Sequence, residues 1–215
     1  MARAEAGARR HKLIEAAADL FYKQGVEATS LKDVASASRV PLGSVFYYYP
    51  TKDDLTVAVV ERRHRHVARL VERHEQITDP ARRLLGLIDV WMSDREVDAR
   101  YGCPIGSLCF EVARARRLDA AAPFRVLIDW CREQFRLLGA GREAERHAVH
   151  LTAALQGISL MASVLSDPRL IERETAYLKS WIGELAARQP APRKARPRRA
   201  ARRGSDVKRS PPPKR

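Results

Sequence analysis

An aromatic run near the N-terminus holds the residue types of this chain that are best suited to binding phosphate: Phe46-Tyr47-Tyr48-Tyr49-Pro50-Thr51-Lys52. The hydroxyls of Tyr47 and Tyr48 suit phosphate oxygens. Lys52 stands at the start of a predicted helix, where its charge and the free backbone N–H groups both favour an anion. Four consecutive rings cannot all face the interior from one helix. We therefore expect Val45 and Tyr49 to be buried.

The residues just before that run suit contact with the edges of DNA bases. Gly43 has no side chain and permits close approach of the backbone, and the Ser44 hydroxyl can bond to a base edge or a phosphate. Leu42 and Phe46 suit the methyl group of thymine. These residue types predict a helix that enters a DNA groove.

Short helices must position these residues, and their beginnings and ends can be predicted. One apolar stripe with a 3.6-residue period consists of Leu13, Ala17, Leu20 and Phe21, and Gly25 ends that helix. A second helix is predicted to begin at Ser30, with Asp33 completing a weaker variant of the capping box. A third is predicted over about Pro41 to Tyr48, because the φ of proline suits the first turn of a helix. Thr51 is predicted to cap a fourth helix. Two short helices joined by a three- to four-residue turn form a helix-turn-helix, whose second helix lies in the major groove.

From His11 to Leu55 the sequence resembles the DNA-binding domain of the TetR family of bacterial repressors. The resemblance lies in Ala28-Thr29-Ser30-Leu31-Lys32-Asp33-Val34-Ala35 and in Gly43-Ser44-Val45 followed by the aromatic run. It implies that DNA is contacted by Thr29, Ser30, Lys32, Pro41, Leu42, Ser44, Phe46, Tyr47, Tyr48 and Lys52. Two residues depart from the family pattern. Arg39 replaces a usual glycine, which makes a positive φ less comfortable, and Pro41 replaces the usual Ser or Thr cap.

The rest of the chain is predicted to be helical as well, which makes the fold class all-α. Helices are expected over about 51–75, 80–94, 108–117, 143–165 and 170–188, with a further helix from Asp119 to the glycines Gly139 and Gly141. The predicted helix over 143–165 carries a broad apolar stripe with small residues between: Leu151, Ala154, Leu155, Ile158, Met161, Ala162 and Leu165. This stripe is either internal core or half of a four-helix dimer interface, and the resemblance favours the dimer.

Several residues of this helical body are candidates for binding a small molecule. Trp91, Met92, Phe110, Phe124, Trp130 and Met161 could line an apolar ligand cavity or form ordinary core. The segment Gly102-Cys103-Pro104-Ile105-Gly106 resembles a TetR subgroup in which a similar motif precedes the sixth helix. Near a helix N-terminus, Cys103 could have a lowered thiol pKa and act as a sensor, or be a small buried residue at a turn. Glu143, His147 and His150 share a helix face, but such pairs are more often solvated than metal-bound.

Charge is distributed unevenly along the chain. Residues 189–215 contain eleven Lys or Arg, one Asp and six prolines, so they carry +10 of the total net charge of +14. We expect this tail to be disordered and drawn to nucleic acid, or simply solvated. We expect no apolar run of transmembrane length, and the N-terminus lacks a signal-peptide pattern. The three cysteines suit reduced thiols. The protein is therefore expected in the cytoplasm and without a membrane partner.

These observations predict four segments: a basic N-terminal arm (1–10), the helix-turn-helix domain (11–55), a helical ligand-binding and dimerisation domain (56–188) and the tail (189–215). The predicted function is a homodimeric transcriptional regulator that binds a palindromic double-stranded DNA operator, a repressor released by a small apolar or amphipathic ligand. Alternatives are a regulator that responds through Cys103 and a nucleoid-type protein dominated by its tail. No catalytic residue set, cofactor site or metal site is predicted, so the chain is not expected to be an enzyme.

Overall fold

A computed structural model describes residues 2–114 and 119–188, and within these ranges the chain contains helices and no strand. The helices are α1 (Ala2–Gln24), α2 (Leu31–Ser38), α3 (Leu42–Tyr48), α4 (Lys52–Glu75), α5 (Pro80–Ser93), α6 (Arg95–Tyr101), α7 (Pro104–Arg114), α8 (Ala122–Leu137), α9 (Ala144–Leu165) and α10 (Pro168–Ala187). A short 3₁₀ turn, Gly141–Glu143, precedes α9. The predicted all-α class is confirmed, whereas the predicted disordered tail lies outside the described residues.

Helices α1 to α3 form a small unit at the N-terminal end. The buried side chains Leu13, Ala17 and Phe21 of α1 pack with Val34 of α2 and Val45 of α3. α2 begins with a complete capping box, in which the Ser30 hydroxyl accepts from the Asp33 N–H and the Asp33 carboxylate accepts from the Ser30 N–H. The predicted variant of the capping box is therefore confirmed.

α4 connects this unit to the helical body. It begins with a second capping box between Thr51 and Asp54, as the sequence predicts for a helix that starts at this threonine. A bidentate ion pair joins Arg62 of α4 to Glu15 of α1, which holds the first turns of the body against the N-terminal unit. Hydrogen bonds from Arg62 lower the pKa of the Glu15 carboxyl.

Several helix boundaries differ from the sequence-based predictions; α8, for example, begins at Ala122 rather than at Asp119. α1 begins at Ala2, so the segment predicted as a basic arm is the first part of a long helix. Residues 95–101 form a separate helix, α6, that was not predicted; Asp94 both ends α5 and begins α6. α7 starts at Pro104 rather than Leu108, because proline suits the first turn of a helix. The predicted end of that helix at Arg117 lies outside the described residues.

α9 is the central helix of the body and packs against α6, α8 and α10. Together with the preceding 3₁₀ turn it is the one helix of the described residues that is long and apolar enough to cross a membrane, by length and composition alone. The expectation that no apolar run would reach that length was therefore wrong. Its apolar residues fall into a buried set and an exposed set: Leu151, Leu155, Ile158 and Ala162 are buried, whereas Leu160, Met161, Val164 and Leu165 are exposed.

Candidate nucleic-acid interface and ligand cavity

The outer face of α3 presents large apolar side chains to solvent. Tyr47 is 80% exposed and Phe46 is 49% exposed, and Leu42 and Gly43 also lie on the surface. Val45 and Tyr49 are buried, which confirms the division predicted for the aromatic run. Exposed rings on a seven-residue helix form a surface patch of the kind that marks a binding site.

The turn before α3 has the backbone that the family pattern requires. Arg39 adopts a left-handed conformation with φ 55°, and its N–H donates to the carbonyls of Ala35 and Ser36. Since a side chain is less comfortable than glycine at positive φ, this position carries a conformational cost. Pro41 lies one residue before α3, as its N-cap, rather than at the first helical position.

Ser30, Lys32 and Pro41 are exposed near α3, whereas Thr29 differs from the other residues predicted to contact DNA. Its side chain is 1% exposed, and its hydroxyl donates to the Gly25 carbonyl at 2.7 Å. The hydroxyl also accepts from the Gln24 side-chain amide. Thr29 therefore stabilises the turn between α1 and α2 and does not present its side chain to a ligand.

Lys52, at the first position of α4, lies against the same turn. Its ammonium donates to the carbonyls of Val26 at 3.0 Å and Glu27 at 3.1 Å. Tyr48 is half-buried, and its ring packs edge-on against Tyr47 with centroids 5.1 Å apart. The contacts of Lys52 hold the start of α4 against the α1–α2 turn.

A buried hydrogen-bond network connects α1 to the body. Tyr22 of α1 donates to the Gly102 carbonyl at 2.6 Å, and its oxygen lies 3.3 Å from the Asp98 carboxyl group. Ser159 donates to the other Asp98 oxygen at 3.0 Å and accepts from the Trp91 indole N–H at 3.1 Å. Burial raises the pKa of Asp98 to about 6. Burial and the neighbouring Asp98 also raise the pKa of the Tyr22 hydroxyl, which therefore keeps its proton.

A cavity of about 780 Å³ opens beside this network. Its described walls come from the end of α6, from α7, from the start of α8 and from α9. Most of the lining side chains are apolar, and Glu111 contributes a carboxylate. The lining residues are Tyr101, Gly102, Cys103, Gly106, Ser107, Cys109, Phe110, Glu111, Ala113, Ala120, Ala121, Phe124, Gln156, Leu160 and Ser163. A concave, mainly apolar site of this size suits a small molecule.

The structure brings together only part of the predicted ligand-binding set. Cys103, Phe110 and Phe124 line the cavity. Trp91 and Trp130 do not; both are buried in the core, and Trp91 is held by Ser159. Met161 lies on the surface, 54% exposed, because it is on the side of α9 that faces away from the core. No described residue of α4 lines the cavity.

The geometry around Cys103 differs from that of an activated thiol. Its side chain is buried, and burial raises the pKa of the thiol even though backbone N–H groups of Ile105 and Gly106 bond to it. Of the two alternatives for Cys103, this geometry fits the small buried residue at a turn, because desolvation outweighs the backbone dipoles and raises the thiol pKa. Gly106 lies close to Gln156 of α9: a Cβ there would be 2.3 Å from the Gln156 side-chain oxygen, so that flexible side chain would have to move.

The histidines of α9 pack on an aromatic side chain. The rings of His147 and His150 lie edge-on to Trp181 with centroids 5.4 and 5.1 Å apart. Burial lowers the pKa of His147. Among the residues that the structure describes, no group of three or more His, Cys, Asp or Glu side chains is arranged to hold a metal ion.

A short exposed helix after a tight turn, capped helices on either side and a helical body with a cavity define a helix-turn-helix DNA-binding protein. Comparison with known proteins agrees. Residues 13–59 match the family model described as bacterial regulatory proteins, tetR family. An uncharacterized HTH-type transcriptional regulator of Lactococcus lactis subsp. lactis is 26% identical over 183 residues, which cover 80% of this chain and 91% of the relative.

Two further similarities agree with this match. An HTH-type transcriptional repressor of Mycobacterium tuberculosis is 41% identical over 59 residues, 27% of this chain and 31% of the relative. The fold of a TetR-family regulator from Agrobacterium tumefaciens matches with a TM-score of 0.72 at 22% identity, over 82% of this chain and 98% of that one. Residues 13–59 therefore form a DNA-binding domain of the tetR type, and the chain is a DNA-binding transcriptional regulator rather than an enzyme.

Sequence reasoning missed three side chains that connect the N-terminal unit to the cavity wall: Tyr22, Asp98 and Glu111. Their partners lie 76 to 85 residues away in the sequence, so no local pattern could pair them. One signal was available for Glu111, because it is the only acidic residue of the mainly apolar helix α7. A carboxylate on a mainly apolar helix is costly to bury without a hydrogen-bond donor, so a donor was to be expected near it.

Proposed function

We propose that this protein is a ligand-responsive repressor that binds a palindromic operator as a homodimer. The observation that carries the proposal is the direct contact between the cavity wall and the N-terminal unit. Gly102 and Glu111 both line the cavity, and they bond to Tyr22 of α1 and to the Val26 N–H of the α1–α2 turn. A molecule that moves this wall therefore acts on the elements that hold α3.

The exposed apolar side of α9 supports the homodimer. Leu160, Met161, Val164 and Leu165 are each more than half exposed, which costs free energy in an isolated chain. Tyr177 of α10 is 72% exposed as well. A second copy that covers these residues gives a two-fold symmetric pair of α3 helices, which suits an operator with two symmetric half-sites.

A change in the spacing between the two α3 helices is the proposed route to release. A ligand shifts the equilibrium only if it binds the non-DNA-binding arrangement more tightly. Since the described cavity wall contains no residue of α4, we place the first step at α7 and α1 and treat the movement of α4 as its consequence. The name of the Mycobacterium relative supports repression as the output.

The test is to sequence the DNA that the purified protein enriches from fragments of its own genome. We expect one enriched motif with two-fold symmetry. The matched control is the double variant Leu42→Ala/Tyr47→Ala, which removes exposed side chains of α3 and should lose the motif while remaining folded. Broad enrichment without a motif would contradict the proposal and favour a nucleoid-type protein.

A further inference from the structure

Glu111 of α7 is shared between the cavity and the N-terminal unit. It lines the cavity, and its carboxylate accepts from the Val26 N–H at 2.7 Å. Gly25 approaches the same carboxylate so closely that a Cβ there would lie 3.2 Å from one of its oxygens. Gly25 has φ +88°, a conformation that favours glycine. The turn therefore requires glycine at the position that contacts Glu111.

The turn that Glu111 holds is connected to the proposed DNA-binding surface. The Val26 carbonyl accepts from the Lys52 ammonium at 3.0 Å, one peptide group away from the N–H that Glu111 binds. Four residues after Val26, Ser30 caps α2. A shift of the Glu111 carboxylate therefore acts on Lys52 and α2 through one short stretch of backbone.

The electrostatics of the cavity favour a ligand with one positive charge. Glu111 carries the only formal charge among the described residues of the wall. Three rings also line it. Arg100 lies over the ring of Tyr101 and Arg114 over the ring of Phe110, so among the described contacts the ring of Phe124 is the one available to a ligand cation. An anionic ligand would face the Glu111 carboxylate in a mainly apolar site, where like charges repel each other strongly.

We propose that Glu111 recognises the protonated amine of an amphipathic ligand and thereby uncouples the cavity wall from the α1–α2 turn. This inference rests on the proposed ligand-responsive function and names its ligand class. The ammonium group competes with the Val26 N–H for the carboxylate. When the carboxylate turns toward the ligand, Val26 loses its acceptor and the turn that holds Lys52 relaxes.

The ligand class is tested by calorimetry on the full chain with three probes of equal chain length: decylammonium, decanol and decanoate. We expect decylammonium to bind at least tenfold more tightly than the other two. Glu111→Gln should abolish that preference, whereas Glu72→Gln, an exposed carboxylate on α4, should preserve it. Equal affinities for the three probes, or a preference that survives Glu111→Gln, would overturn the proposal.

The coupling is tested by amide hydrogen exchange at Val26 without DNA. Decylammonium should speed exchange there in the wild type, and Glu111→Ala should speed it without ligand. Glu111→Gln should exchange like the unliganded wild type, because its amide oxygen still accepts from Val26. If Glu111→Ala unfolds, the effect of decylammonium on Val26 exchange in the wild type is sufficient to test the coupling. Unchanged exchange on saturation with decylammonium would overturn the coupling.

Failure of this inference is distinguishable from failure of the proposed function. A protein that selects a palindromic operator but shows no amine preference retains the proposed function and overturns the inference. A protein that selects no operator overturns the proposed function, while the calorimetry still decides the ligand class.

Discussion

At the residue scale, the surroundings of the buried Asp98 change the pKa of its carboxyl group. Tyr22 has one hydroxyl proton, and its shorter hydrogen bond, 2.6 Å, goes to the Gly102 carbonyl. Tyr22 therefore gives Asp98 only a longer contact of 3.3 Å, while Ser159 donates to the other carboxyl oxygen at 3.0 Å. Desolvation outweighs these two contacts, which favour the carboxylate, and raises the pKa of Asp98 to about 6.

This pKa predicts how stability depends on pH. Because the folded-state pKa lies above the ordinary value of 3.8, the contribution of Asp98 to stability is complete below about pH 4 and is lost as the pH rises through 6. Asp98→Asn mimics the protonated acid, since its amide donates to Tyr22 and accepts from Ser159. We expect the variant to be more stable than the wild type at pH 7.5, by on the order of 2 kcal/mol.

Denaturant unfolding of both proteins between pH 4.5 and 7.5 measures this difference. The stability gap should shrink toward zero at the acidic end. The matched control is Asp89→Asn, an exposed carboxylate paired with Lys179, which should give no comparable gain at neutral pH. A gap that stays constant with pH would mean that Asp98 does not titrate in this range.

The proposed phosphate contact of Lys52 gives a second residue-scale prediction. Lys52→Gln should weaken binding to operator and to unrelated DNA by a similar factor, because phosphates carry no sequence information. The slope of log affinity against log salt should fall by about one. Fluorescence anisotropy titrations at several salt concentrations measure both quantities. Lys179→Gln, which removes one charge from α10, is the control, and an equal effect from that variant would contradict the contact.

At the scale of elements, two helix starts could be predicted from a side-chain cap. Ser30 and Thr51 each form the predicted cap, because the bond from a side-chain oxygen to a nearby N–H depends only on local sequence. The burial of Val45 and Tyr49 followed from helical geometry. Thr29 was different. Its exposure depends on how α1 and α2 cross, and no local pattern contains that information.

The cavity could not be placed from the sequence for a related reason. Apolar residues are equally suited to a core, a cavity wall or an interface, and only packing separates them. Trp91 is in the core, Phe110 lines the cavity, and Met161 lies on the exposed side of α9. The periodicity of apolar residues predicted the helices that carry these side chains. It did not predict how each helix is rotated about its own axis, which decides whether a side chain faces the core, the cavity or solvent.

The exposed side of α9 gives an element-scale prediction about assembly. Val164 is 74% exposed and does not line the cavity, so Val164→Glu should leave the chain folded and convert the proposed dimer to a monomer. A charge at the centre of an apolar interface is desolvated without a partner. Sedimentation velocity measures the mass. Val97→Glu, at a valine of α6 that is 48% exposed, should remain dimeric; a dimeric Val164→Glu would place the interface elsewhere.

Filling the cavity gives a second prediction at this scale. Ala113 lies in its wall, so Ala113→Phe should retain operator binding yet need at least tenfold more inducer for release. Operator release is followed by anisotropy with increasing inducer. Cys103→Ser tests the thiol-based alternative and should respond like the wild type, because burial keeps that thiol protonated. An unaltered response of Ala113→Phe, together with loss of response in Cys103→Ser, would favour the thiol.

At the scale of the whole molecule, most of the net charge belongs to residues 189–215, outside the described residues. The first 188 residues carry only about +4 of the total +14. Truncation after Arg188 should therefore preserve operator selection and thermal stability. It should reduce affinity for unrelated DNA and its salt dependence, since that binding is electrostatic. Loss of thermal stability in the truncated protein would contradict a solvated tail.

The central claim is that two α3 helices of a homodimer recognise one symmetric operator. Footprinting on the enriched DNA, with the full chain and with the protein truncated after Arg188, tests it most directly. We predict the same protected region for both proteins, with two symmetric halves whose centres are separated by one helical turn, about 34–36 Å, or a multiple of it. Protection that spreads along the DNA without symmetry, or that disappears with the tail, would contradict the claim.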